Sequence, residues 1–215
     1  MTAVVRDPVR HAGTAAEGVR LVAGDVADPA AVAAAVAGHD AVISSVYRAD
    51  TDARTLFEGA ARALSAGLGH AGVKRLGVVG VAATLVGDSG ARVLDTPGFP
   101  AAWREFCLGH AAGLEALRDT PSPVHWLVVN PPMELVEDGP RTGRYRLYDE
   151  RLPPGGGRIS HADFAVGVLD EVMTPRHHRT QLWHSGLTEG RGGPGGPGPI
   201  TRFSWPTSAG SVRPD

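Results

Sequence analysis

Apolar residues fall in short runs from residue 2 to about residue 183, separated by stretches where they recur every third or fourth position. The runs at residues 2–6, 19–23, 41–45, 76–79 and 126–129 are mostly Val, Leu, Ile and Ala, with no regular polar alternation. Strands buried on both faces have this pattern. The intervening stretches predict helices with legible ends. Asp28 before Pro29 forms an N-cap followed by proline at the first helical position, and Gly38 closes that Ala/Val-rich helix. Over residues 52–71, Phe57, Ala60, Ala61, Leu64 and Leu68 share one face. Residues 101–118 place Trp103, Phe106, Cys107, His110, Leu114 and Leu117 together. A last helix starts at Ser160, with Asp163 in the capping-box position, and is expected to bury Phe164, Ala165, Val168, Leu169 and Val172.

Strands alternating with helices predict an α/β fold, a Rossmann-like doubly wound parallel sheet covered on both faces by right-handed crossovers. Residues 142–147 break the rhythm and predict a hairpin or an excursion beyond the main sheet. From residue 185 to 215, 13 of 31 residues are Gly or Pro, which predicts a disordered tail behind a single domain of residues 1–184.

Composition removes several function classes. A net charge of -2 gives no electrostatic case for nucleic acid or an anionic membrane as partner. No apolar run reaches the ~18 residues of a membrane span. Cys107 is the single cysteine, which rules out an internal disulfide and a Cys-rich zinc site and fits a cytoplasmic setting. The loosely spaced His177, His178 and His184 are expected at the surface rather than on a metal. Lys74 is the single lysine among 21 Lys and Arg residues, and no tyrosine lies four positions before it. The Tyr-x-x-x-Lys pair that activates a phenol as general acid is therefore absent. Cys107 and His110 share an apolar helix face, where core packing is the expected role.

The candidate chemistry sits at the carboxyl ends of the predicted strands, where open α/β sheets bind ligands. Arg6 follows the first strand, at the point where an acidic residue would accept from a ribose 2′-hydroxyl and an arginine would hold a 2′-phosphate. That favours NADP, with NAD as the other option. Asp25 and Val26 follow the second strand, where a carboxylate and an apolar side chain suit an adenine edge. Ser44 and Ser45 end the third and offer small hydroxyls to phosphate or ribose. Thr84 follows the fourth, and the turn Asn130-Pro131-Pro132-Met133 follows the fifth, placing Pro131 in the wall of a nicotinamide pocket.

These landmarks, in this order, resemble the atypical short-chain dehydrogenases, in the NAD(P)H-binding branch of NADH-flavin reductases, with biliverdin IXβ reductase as a more distant relative. The matching stretches are TAVVRDP from Thr2, VAGDV from Val22, VAGHDAVIS from Val36, GVKRLGVV from Gly72 and DTPGFP from Asp95. LEALR from Leu114, TGRYRL from Thr142 and RISHADFAV from Arg158 complete the series. The resemblance implies a Rossmann-type fold, NADPH or NADH binding, and hydride transfer to a flavin or small electrophile. By position it implies a 2′-phosphate contact at Arg6, adenine contacts at Asp25 and Val26 and a mid-cofactor contact at Ser44. Thr84 stands where relatives often carry a serine near the nicotinamide.

Two departures qualify that expectation. The family's opening strand, its helix and the Gly-x-x-Gly-x-x-Gly turn between them, roughly 20–30 residues, have no counterpart in this sequence. Gly80-Val81-Ala82-Ala83-Thr84 stands where relatives read Gly-Gly-Ala-Gly-Ser. An N-terminally truncated sheet must collapse inward, borrow a strand or leave backbone groups unpaired. The expectation is a chain that folds poorly or binds its cofactor weakly. It would be an impaired NAD(P)H-dependent flavin reductase acting on a small-molecule substrate, with no acid–base residue assigned. Two other readings stay open: a non-catalytic dinucleotide sensor, and an inactive fragment from a misassigned start.

Overall fold

The computed structural model describes residues 1–14, 16–152 and 157–186. In chain order, β1 (Thr2–Val5) and β2 (Arg20–Ala23) precede α1 (Pro29–Val36), β3 (Ala41–Ser44), α2 (Ala53–Ala71) and β4 (Arg75–Val79). Then come α3 (Ala101–Asp119), β5 (His125–Asn130), β6 (Glu134–Val136), β7 (Tyr145–Tyr148), β8 (Arg158–Ser160), α4 (His161–Met173) and β9 (Thr180–Gly186).

The five expected strands form, each within a residue or so of its expected bounds, but they do not share one sheet. The main sheet has the order β3-β4-β5-β9-β7, parallel except for β7. β1 and β2 pair in parallel as a separate ribbon, and β6 and β8 make a third, small parallel pair. Among the described residues no ladder joins β1 to β3.

Period-two alternation sorts the main sheet's side chains onto two helical layers. Leu76, Trp126 and Val128 join residues of α1, α2 and α3 in one cluster. Leu127, Val129 and Leu182 meet Phe164, Val168 and Val172 of α4 on the other face. Close helix packing depends on glycine: a Cβ on Gly67 would lie 2.6 Å from Val32 Cγ1, and one on Gly109 2.6 Å from the Ala53 carbonyl carbon. Asp28 caps α1 as expected by accepting from the Ala30 N–H, and Asp52 caps α2 likewise by accepting from the Thr55 N–H. Gly72, at φ 76°, closes α2 in the left-handed conformation.

Several expectations need correction. Residues 142–147 are not an excursion: Tyr145–Tyr148 forms β7, the antiparallel edge of the main sheet on β9. Strand β9 itself lacks an apolar run, because it buries Gln181, His184 and Ser185 alongside Leu182 and Trp183. Ser185 and Gly186 pair in β9 rather than beginning a tail, and residues 187–215 lie outside the described residues. Ala165 and Leu169 of α4 face solvent, with Leu169 47% exposed, while Asp163 and Glu171 are buried instead. Only half of the capping box forms. Ser160 Oγ accepts from the Asp163 N–H, whereas the Asp163 carboxylate accepts from the N–H groups of Thr142 and Gly143 and from the Thr142 hydroxyl. It thus holds the loop entering β7 onto α4.

Candidate functional site

The carboxyl ends of β3 and β4 open onto a small apolar cleft beneath α2 and α3. Ser44, Val46, Gly80, Val81, Thr84 and His110 are among its lining residues. Two expected site residues, Ser44 and Thr84, therefore come together here. Their hydroxyls differ in what they have left to offer. Thr84 Oγ1 lies 3.0 Å from both the Val81 carbonyl and Gln181 Oε1, so its proton is committed within the protein. Ser44 is buried and its Oγ has no hydrogen-bond partner. An unsatisfied buried hydroxyl costs ~1–3 kcal/mol. A ligand accepting from it would recover that cost.

His110 also lines the cleft, with its ring centroid 3.8 Å from that of Phe57 and 4.7 Å from that of Phe106. Burial pushes its pKa down to about 4, so the imidazole is neutral near pH 7. Burial likewise lifts the Cys107 thiol to about 11, which bears out core packing rather than a nucleophile–base pair. Asn130, at the end of β5, was outside the expected set. It is fully buried, donates 3.0 Å to the Leu182 carbonyl and 3.3 Å to Gln181 Oε1, and turns an unpartnered Oδ1 toward Gly80. A Cβ at Gly80 would collide with that oxygen, which explains glycine there. Pro131 follows Asn130, half-buried at the strand exit.

The remaining expected residues lie at the ends of β1, β2 and β3. Arg6 Nη1 stands 3.8 Å from Asp50 Oδ2, and Arg48 grips the same carboxylate at 3.0 and 3.3 Å. The Arg48 hydrogen bond holds the Asp50 carboxyl down at about 2. Arg48 and Asp50 could not be singled out in an arginine-rich sequence; their significance comes from meeting Arg6. Asp25 is exposed and spends Oδ1 on the Ala27 N–H, 2.9 Å away. Val26 is half-buried against the main core, and Ser45 is exposed.

His184 is not a surface histidine. It is fully buried, stacked 5.4 Å from Tyr145, and both ring nitrogens lack partners. Among the described residues, no group of three or more His, Cys, Asp or Glu could hold a metal ion.

Arg6 and Arg48 can take an anion, and Ser44 can donate into the apolar cleft.

Comparison with known proteins gives the same frame. The Bacillus subtilis (strain 168) protein YwnB is 34% identical over 143 residues, 64% of this chain and 66%, just under two thirds, of that protein. A Burkholderia pseudomallei protein described as exported superposes with TM-score 0.73 at 34% identity, covering 86% of each chain. A Streptococcus pneumoniae protein described as an NADH-flavin reductase does so with TM-score 0.73 at 26% identity, covering 86% of this chain and 87% of that one. Residues 1–175 match the NAD(P)H-binding family, and the chain belongs to that family of Rossmann-like, oxidoreductase-related proteins.

Proposed function

We propose that this chain binds NADPH along the carboxyl ends of β1 to β4 and directs its hydride to a flavin or another small electrophile. The observation that carries this reading is the unpartnered Ser44 hydroxyl in the cleft, at a strand carboxyl end like the Arg6–Arg48 pair. Arg6 and Arg48 would hold the 2′-phosphate in exchange for Asp50. Ser44 would donate to the ribose or phosphate further along. Val46, Val81 and Phe57 would keep water from the reacting end. Pro131 would wall the same end, and Asp25 and Val26 would border the adenine.

The bound nicotinamide supplies the hydride, and the protein orients donor and acceptor. Neutral His110 adds no positive charge to the cleft. With no Tyr-x-x-x-Lys pair to protonate a ketone, a flavin suits the site better than a simple carbonyl. The Streptococcus neighbour supports the same acceptor class. A lone, free and buried Cys107 fits a reducing compartment. Among the described residues no helix is long and apolar enough to cross a membrane.

Two measurements test the reading. Isothermal titration should give tighter binding of NADPH than of NADH. NADPH oxidation should depend on added FMN and fall about tenfold or more in Ser44→Ala, by loss of the unpartnered cleft hydroxyl. Absence of NADPH binding in the folded chain would overturn the proposal.

A further inference from the structure

Strand β9 carries an amide where the neighbouring strand β5 is apolar. Gln181 is 2% exposed and pairs in register with Val128, a residue of the cleft wall. A leucine would fill that position without any polar demand, whereas a buried amide has to find partners for its oxygen and its N–H groups. Gln181 finds them on Thr84, beyond β4, and on Asn130, at the end of β5. Its Oε1 lies 3.0 Å from Thr84 Oγ1 and 3.3 Å from Asn130 Nδ2, and its Nε2 donates to the Thr84 carbonyl at 3.4 Å.

The direction of every bond in this group follows from one backbone carbonyl. The Leu182 carbonyl can only accept, so the Asn130 atom 3.0 Å from it is Nδ2. The second N–H on Nδ2 needs an acceptor on Gln181, which puts Oε1 on that side and Nε2 toward the Thr84 carbonyl. A flipped amide would set oxygen against oxygen and N–H against N–H. Thr84 Oγ1 is left between Oε1 and the Val81 carbonyl, 3.0 Å from each, and both are acceptors only. Its proton therefore points into the protein, and toward a ligand Thr84 can only accept. Ser44, the other hydroxyl of the cleft, is unpartnered and keeps its proton to give.

We propose that Gln181 is a positioning residue for the cleft. By holding the hydroxyl and the carbonyl of Thr84 it fixes the turn Ala82–Thr84 and makes Thr84 an obligate acceptor, so the ligand group seated against Thr84 is an N–H donor. Gln181 stands behind the cleft wall and acts through Thr84. The identity of the donor rests on the dinucleotide reading: the carboxamide is the part of the nicotinamide that carries N–H groups.

The test is isothermal titration of the full chain with NADPH and with its reduced 3-acetylpyridine analogue, in which a methyl ketone replaces the carboxamide and its N–H donors. The unmodified chain should bind NADPH about tenfold more tightly than the analogue, as expected for one hydrogen bond. Thr84→Val removes the acceptor and should bring the two affinities within about twofold, while Thr84→Ser keeps the hydroxyl and the preference. Gln181→Met, of similar volume, frees the Thr84 proton to turn toward the ketone oxygen and should narrow the ratio to about threefold or less. General damage to the fold weakens both ligands alike, so the ratio reads the polarity of Thr84 and not stability. A ratio near one in the unmodified chain, or an unchanged ratio in Gln181→Met, would overturn the proposal and leave the dinucleotide reading standing. Should Gln181→Met fail to fold, Thr84→Val decides: a ratio still near its unmodified value there would overturn the proposal. If NADPH does not bind the unmodified chain at all, both readings fall.

Discussion

Asp50 sets the charge state of the arginine end of the site. Held at about 2 by Arg48, its carboxyl is ionised at every pH near neutral and offsets one of the two guanidinium charges that an anion would need. Asp50→Asn should therefore tighten NADPH binding by about three- to tenfold at low salt, with a smaller gain at high salt. Isothermal titration at two ionic strengths checks this; an unchanged affinity at low salt would remove Arg6 and Arg48 from the binding site. In the same assay Arg6→Asp should abolish the preference for NADPH over NADH. His184 governs a different property. Burial lowers its pKa to about 4 from an unfolded value near 6.5, so between those values the unfolded chain holds the extra proton. The stabilisation is complete above about pH 6.5 and is lost as pH falls toward 4, by roughly 3 kcal/mol. The thermal midpoint should drop across that window, and His184→Leu should flatten the drop. At this scale the sequence exposed Arg6 and Ser44, because strand ends in such folds are where ligands sit. It hid Asp50 and His184 and gave Asn130 only as part of a pocket-wall turn; their roles arise from neighbours brought close only by folding, such as Gln181 beside Asn130.

Between elements, the clearest dependence is on glycine at helix crossings. Gly109 lets α3 lie directly on the first turn of α2, so Gly109→Ala should force the helices apart and cost about 1–3 kcal/mol in urea denaturation. The neighbouring Gly59, with nothing near its absent side chain, is the control and should tolerate alanine. The elements legible in the sequence were those with a local signal. Asp28-Pro29 marked a helix start, and runs such as WLVV from Trp126 marked strands buried on both faces. Strand β9 was illegible for a definite reason. Gln181 and His184 are polar by type, yet the fold buries them, one against Thr84 and the other between aromatic rings. The position of β7 was equally hidden, since an edge strand's partner is chosen by the whole sheet and not by its own pattern.

Across the whole molecule, the split sheet predicts uneven stability. Among the described residues the β1–β2 ribbon meets the rest through α1 packed on α2 and through the His39 and Arg6 side-chain bridges, with no shared ladder. Native-state hydrogen exchange should show its amides opening at lower free energy than those of β4 and β5, as a separate cooperative unit. A single shared opening energy would count against two units. Cys107 then has a use that its burial first obscures. As the sole sulfhydryl, tucked under α3 and raised to about 11, it is nearly inert to a thiol-reactive dye until that helix lifts. Dye labelling would thus act as a clock for the larger half of the molecule alone, ticking only when α3 detaches and silent while the β1–β2 ribbon comes and goes.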